Sequence, residues 1–382
     1  MSNQIINRRN DEIEVLRAVS ILFVIFGHLP NLLFWGSSLH KVVTDKLAFW
    51  GGVDLFFCIS GFVIGRTLWE KHDSSRGIDY WKEVVAFWIR RAYRIIPSAW
   101  LWLLVVLLCT VVANRSLAFG YFWGNLADTI ASVLYFQNFH FASCLAEIGL
   151  HVCGNNGIYW SLSLEEQFYL FCPLIFLLPR KAIIGTLLFL IAIQLPFGRM
   201  ETQQRLWFFA RTDAISLGVL LAWISNTGAY ANFEPKVLAN GGIRWFVFFI
   251  LTFAIVFIPG GTGLVNFQPG LIALVSVVLV FIASYDQGYL MRACPLRTLL
   301  SWVGSRSFAI YLIHNPAYWL THELWYRIMP EGTSFNGTYS LRFLLTAFFL
   351  IVVFSEMNYR FVETPFRLRG RAKSAQLVAN TI

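Results

Sequence analysis

Apolar runs of about 20 residues recur along the chain, each closed by a short polar stretch, and that is the length a helix needs to cross hydrocarbon. The pattern predicts ten such helices, at residues 14–34, 47–67, 95–113, 159–178, 182–197, 208–225, 244–259, 268–285, 305–326 and 340–359. Residues 115–158 are more polar, yet NLADTIASVLYFQNF (125–139) is amphipathic. We read it as an interfacial or re-entrant helix of an external loop, because another crossing there would invert every later segment. The polar start MSNQIINRRNDE runs into the first apolar segment with no small-residue cleavage site, which predicts no removable signal peptide. No internal repeat or low-complexity tract is visible, and no hydrophilic stretch is long enough for a second globular domain. The fold class is all-α: a single polytopic membrane domain.

Composition agrees with the pattern. Hydrophobic residues make up 57% and charged residues 13% of the 382 positions, too little charge to cover a soluble domain of this length. Placing both termini in the cytoplasm puts the heavy basic clusters on the inner side: Arg8, Arg9 and Arg17, then Arg66 to Arg94, then Arg360 to Lys373. A basic inner rim facing anionic lipid accounts for the net charge of +9 without any nucleic-acid partner. Of the six cysteines, Cys58, Cys109 and Cys172 fall in apolar segments as small core residues, and Cys294 falls in an inner loop. Cys144 and Cys153 share the external stretch, where their spacing suits a disulfide or two free thiols alike. No CxxC or His/Cys cluster suggests a metal.

Ionisable groups inside apolar segments are costly, so they are where chemistry is sought. Arg17 and His28 lie eleven residues apart in EVLRAVSILFVIFGHLP (14–30). That is close to three turns, so they share a helix face about 16 Å apart. Arg17 alone would be an ordinary snorkelling residue, but a packed core needs neither group. Asp54, Glu165 and Asp213 each fall about 8–10 Å below the outer end of their segments, the level of His28. For Asp54 and Asp213 a structural hydrogen-bonding role is an equal alternative. Glu166 reads as a partner of neighbouring backbone. His314 reads as a satisfied core histidine, with Asn315 and Pro316 placed to open the helix beside it. In FWIRRAYRIIPSAW (87–100), Arg90, Arg91 and Arg94 share about half of a helix surface. Such a cluster serves topology, and its guanidinium forks also suit phosphates.

These residues resemble the signature of the acyltransferase 3 family. The spacing from Arg17 to His28, GGVDLFFCISGFVI, FWIRRAYRIIPSAW, YWSLSLEEQFYLF, IYLIHNP and NYRFVETPFR stand in the family's order and cover nearly the whole chain. One motif would be weak, and six in series are strong. The resemblance implies one acyltransferase-3-like transmembrane domain over 1–382, with cytoplasmic tails at 1–13 and 361–382 and the external loop at 115–158. It implies a bacterial inner-membrane O-acetyltransferase that uses cytoplasmic acetyl-CoA, without metal, and acetylates a carbohydrate, either lipid-linked or a polymer. On that reading His28 is the general base, Arg17 its motif partner, and Asp54 or Glu165 the carboxylate that orients the imidazole. Arg90, Arg91, Arg94 and Arg17 would contact coenzyme A phosphates. Glu165 is preferred to Glu166, and Asp213, His314 and Glu363 (within NYRFVETPFR) are further candidates. Some relatives carry a fused extracytoplasmic hydrolase-like domain, so a relay of the acetyl group through such a domain would here use a periplasmic partner or not exist.

Two alternatives accompany this expectation. A proton-coupled secondary transporter would use the same buried acids and histidine, although no inverted repeat is visible and the 90–94 cluster has no task there beyond topology. Within the family, a succinyl donor would want an extra cation, for which Arg211 stands ready, and a lipid acceptor is equally compatible. The sequence does not choose among O-antigen, exopolysaccharide, a secreted oligosaccharide and peptidoglycan.

Overall fold

A computed structural model describes residues 10–74, 77–145, 152–196, 208–260 and 267–379. Arg8 and Arg9 lie outside them, as does part of the external stretch. The described residues are helical, with no strand among them. The helices are α1 (Asp11–Gly27), α2 (Ser38–Thr44), α3 (Gly51–Ser74), α4 (Ile78–Val112), α5 (Phe122–Val133), α6 (Gln137–Leu145), α7 (Tyr159–Ile175) and α8 (Arg180–Gln194). They continue with α9 (Asp213–Ser225), α10 (Gly241–Gly260), α11 (Gln268–Ser284), α12 (Pro295–Ser305), α13 (Ser307–Ile328), α14 (Ser340–Asn358) and α15 (Thr364–Ala379). A helix lies within each of the ten apolar segments. Among the described residues four stretches are both long and apolar enough to cross a membrane: Gly51–Asp73, Asp79–Val112, Gly241–Gly260 and Gly337–Ala379.

The structure departs from the sequence expectation where polarity hides a helix or a break. The first helix stops at Gly27, because the chain turns at His28 into a short 3-10 segment carrying Pro30. The fourth begins at Ile78, not near 95: its first four turns are amphipathic and are held by Tyr80 bonding Pro173 O and Trp88 bonding Tyr169 O. The 125–139 stretch is two helices. Tyr135 adopts φ 58°, a left-handed conformation that breaks the run between α5 and α6. The expected inner loop before 305 contains α12, and the expected tail after 361 contains α15. His314, Asn315 and Pro316 do not open α13, which runs through them unbroken.

The core is built around α3, which crosses α1, α9 and α11. Its closest crossing is made by glycine on both sides. A Cβ on Gly61 would stand 2.0 Å from Ile215 O, and one on Gly218 would stand 2.2 Å from Cys58 O. Gly51 and Gly52 likewise bring α3 against the backbones of Ile255 and Ser20. Gly61→Ala is therefore expected to destabilise the fold by about 1–3 kcal/mol, the usual cost of overpacking a tight site. A thermal melt in detergent checks it, and an unchanged Tm would mean that α3 and α9 separate freely. A second anchor ties α1 to the turn after α11. The buried Glu12 carboxylate accepts backbone N–H groups from Gly288, Tyr289, Leu290 and Met291 at 2.5–3.3 Å.

Candidate active site

Three cavities follow α1 from end to end. At the Arg17 end lies a vestibule of about 870 Å³ whose wall includes Arg17, Arg66, Arg94, Glu363, Arg367 and Arg371. Next comes a smaller cavity of about 80 Å³, to which Arg17 and Arg94 also contribute, together with Arg91, Glu165, Tyr169 and Tyr311. At the far end a cavity of about 560 Å³ holds His28, Asn31, Asn155, Asn315 and His322 among the rings of Phe34, Phe141, Trp160 and Trp319. Among the described residues no carboxylate or guanidinium lines this last cavity. One helix thus presents an arginine to the first two cavities and a histidine to the third, as the eleven-residue spacing predicts.

His28 caps α1. Its backbone N–H bonds Val24 O and Ile25 O, and its ring Nδ1 lies 2.9 Å from Val24 O and 3.2 Å from His314 Nε2. A carbonyl can only accept, so Nδ1 carries the proton in that contact. His314 is fixed in the same way, its Nδ1 facing Tyr311 O at 2.7 Å and Ile310 O at 3.3 Å, which turns the Nε2 lone pair toward His28. The tautomer so imposed leaves His28 Nε2 as a basic nitrogen with no hydrogen-bond partner among the described residues. The carbonyl end of α1 also favours the cationic ring that proton uptake creates. The ring set against His28 Nδ1 is thus a second histidine, and the carboxylates expected there are bonded elsewhere.

Asp54 binds Arg211 through both oxygens, at 2.8 and 2.9 Å, and both side chains are fully buried. The guanidinium is boxed by Phe208 at 4.0 Å, Trp160 at 5.1 Å and Trp50 at 5.5 Å. Trp160 is shared with the His28 cavity, so the ion pair sits directly behind that wall. Arg211, suggested as a spare cation for a succinyl donor, is already neutralised by Asp54. Asp213 is buried in the first turn of α9, where the helix dipole favours a carboxylate.

Glu165 accepts short hydrogen bonds from Ser60 and Tyr169 and lines the small cavity beside Arg91 and Arg94. The depth count had placed it level with His28; the two line different cavities, because counting residues from a segment's end assumes straight helices normal to the membrane. Glu166 points away, its Oε1 buried without a hydrogen-bond partner among the described residues. Arg91 stacks on the Tyr169 ring at 4.6 Å. Arg90 lines none of the three cavities. Glu363 is buried in the vestibule wall, and Arg17 reaches Glu14 at 2.8 Å.

Several lining groups gave no sequence signal. Asn155 belongs to a loop that α5 clamps: Asn125 Oδ1 accepts Asn155 N, and Asp128 accepts Gly154 N, Asn156 N and the His140 ring. Burial pushes the Asp128 carboxyl above its usual range, against the pull of these donors. Cys144 and Cys153 form a disulfide that staples the same loop to α6.

Comparison with known proteins adds the chemistry. The chain matches the acyltransferase domain family over residues 10–356. It is 29% identical to the peptidoglycan O-acetyltransferase OatA of Listeria monocytogenes, over 94% of this chain and 56% of that protein. It is 27% identical to a putative O-acetyltransferase of Staphylococcus aureus and 28% identical to that organism's O-acetyltransferase OatA, in both cases over 93% of this chain and 57% of the relative. The chain therefore spans little more than half the length of these relatives. No solved structure matches it.

Proposed function

The chain belongs to the acyltransferase 3 family, and from that premise we propose that it is a membrane O-acetyltransferase moving an acetyl group from cytoplasmic acetyl-CoA to a hydroxyl of a cell-surface carbohydrate. We place it in the bacterial inner membrane with ten crossings and both termini in the cytoplasm. The observation that carries the reading is the sequence of cavities along α1, from an arginine-lined vestibule to a chamber lined, among the described residues, by His28, asparagines and aromatic rings. Guanidinium forks suit the phosphates of the donor. Aromatic faces and amides suit an uncharged sugar, whose C–H face stacks and whose hydroxyls hydrogen-bond.

On this reading a sugar hydroxyl enters the chamber beside His28. Nε2 takes its proton as the oxygen attacks the thioester carbonyl, and the ester forms as the C–S bond breaks. The imidazolium then returns the proton to the departing thiolate, which leaves as coenzyme A thiol. His314 and Val24 O hold His28 in the tautomer that makes Nε2 the base. Arg91 and Arg94 line the small cavity, and Tyr311 in its wall bonds Ile158 O, which lines the chamber, at 2.6 Å and Ser161 Oγ at 2.7 Å.

The test supplies acetyl-labelled acetyl-CoA to membranes containing the protein, with the source cell's surface glycans as acceptor. Label appearing as ester in the glycan, absent from membranes lacking the chain, supports the reading. Intact thioester after incubation, with all glycan fractions unlabelled, overturns it.

A further inference from the structure

The vestibule is completed by chain that the family match does not reach. The match ends at residue 356, yet Tyr359, Glu363, Arg367 and Arg371 line the wall opposite α1 and α3. From Tyr359 to Glu363 the backbone takes a single π-helical turn, then continues as α15. Such turns insert an extra residue and re-aim the side chains that follow. Positions 363, 367 and 371 recur every four residues and so face the vestibule together.

The adjoining face of α15 is docked. Gly370 lies against Tyr93 of α4, where a Cβ would come within 2.5 Å of the Tyr93 Cβ, and Lys373 rests over the Tyr93 ring at 5.1 Å. Phe366 adds a ring contact with Tyr93, and Ser374 is buried. This helix has too little apolar surface to be held by hydrophobicity alone, and its contacts position it rather than leave it trailing.

Glu363, the carboxylate on its cavity face, is attracted by Arg94, Arg367 and Arg17 without a close ion pair to any of them among the described residues. Of the carboxylates in the wall, Glu14 is paired with Arg17, and Asp73 binds Arg180 through both oxygens. Arg66, Arg367 and Arg371 form no ion pair among the described residues. Arg367 Nε and Glu363 Oε2 are buried without hydrogen-bond partners there, a costly state for polar atoms unless a ligand completes them.

We propose that α15 is part of the donor site, and that Arg367 and Arg371, with Arg66, hold the phosphates of a nucleotide-bearing thioester. The inference rests on the acyl-CoA reading above. Arg369 is the built-in control: it lies on the same helix with the same charge but is exposed, stacked on Phe366 and outside the vestibule.

The experiment titrates the purified full chain in detergent with coenzyme A by calorimetry, comparing wild type, Arg371→Ala, Arg371→Lys and Arg369→Ala. Arg371 is exposed, so its truncation removes no packing, and matching melts verify the fold. Arg371→Ala is expected to raise Kd about tenfold, equivalent to about 1.4 kcal/mol, Arg371→Lys by less, and Arg369→Ala by under about twofold. Equal affinities for both alanine variants, whether unchanged or equally weakened, would refute a role for α15 while leaving the donor reading standing. Absence of binding by wild type would remove both.

Discussion

His28→Gln is expected to lower acyl transfer by about 10²–10⁴-fold, the contribution typical of a positioned general base, while coenzyme A still binds with wild-type affinity. Glutamine is near the size of imidazole and its amide can still donate toward Val24 O and His314 Nε2, so the local hydrogen bonds survive. It has no basic nitrogen to face the chamber. The loss should therefore fall on kcat, with little change in the KM for acetyl-CoA, because the donor's phosphates would bind in the vestibule about three helical turns away. Steady-state kinetics with labelled acetyl-CoA provide the test. A variant retaining more than about a tenth of wild-type kcat would mean that the hydroxyl proton leaves by another route, and the role assigned to His28 would fall.

The largest effect on stability is expected at Arg211. Arg211→Met takes from the fully buried Asp54 its bidentate guanidinium partner, and breaking one half of such a pair costs about 3–5 kcal/mol. The double variant Asp54→Leu/Arg211→Met removes both charges and should recover most of that loss, since a buried pair replaced by apolar groups of similar size is often neutral. Thermal melts of the single and double variants measure the recovery. Activity of the double variant then separates the two roles that the sequence left open for Asp54. If the pair only braces Trp160 behind the acceptor chamber, transfer survives at a reduced level. If the double variant is as stable as wild type and transfers nothing, Asp54 acts in the chemistry. A double variant no more stable than Arg211→Met alone would contradict the account of the pair itself.

What the sequence could reveal depended on the kind of signal each element carries. Apolar periodicity found a helix in each predicted segment, because lipid or a buried core selects such runs, but among the described residues only four stretches are long and apolar enough to cross a membrane. It missed α12 and α15, which are held by close backbone approach to α1 and by contacts around Tyr93 on α4, and neither leaves a hydropathic trace. The shared face of Arg17 and His28 was legible because it is a property of one helix. His314 as the partner of His28 was not, since the contact joins residues 286 positions apart and the expected partner was a carboxylate. Depth counting aligned Asp54, Glu165 and His28 on a common level, but each found a different neighbour once tilt and crossing were fixed by glycine contacts. The Arg90–Arg91–Arg94 cluster divided for a similar reason. A helix surface shows which residues are adjacent, whereas the elements packed on it decide which of them meet a cavity.

The disulfide between Cys144 and Cys153 ties the chamber's maturation to its address. Thiols in a bacterial cytoplasm are kept reduced, so on the proposed orientation the bond closes only after its loop has been exported. Until then Asn155 and its neighbours lack their covalent tether, and the acceptor chamber lacks part of its fixed wall. On that orientation a freshly made chain would complete this wall only on the outer side of the membrane.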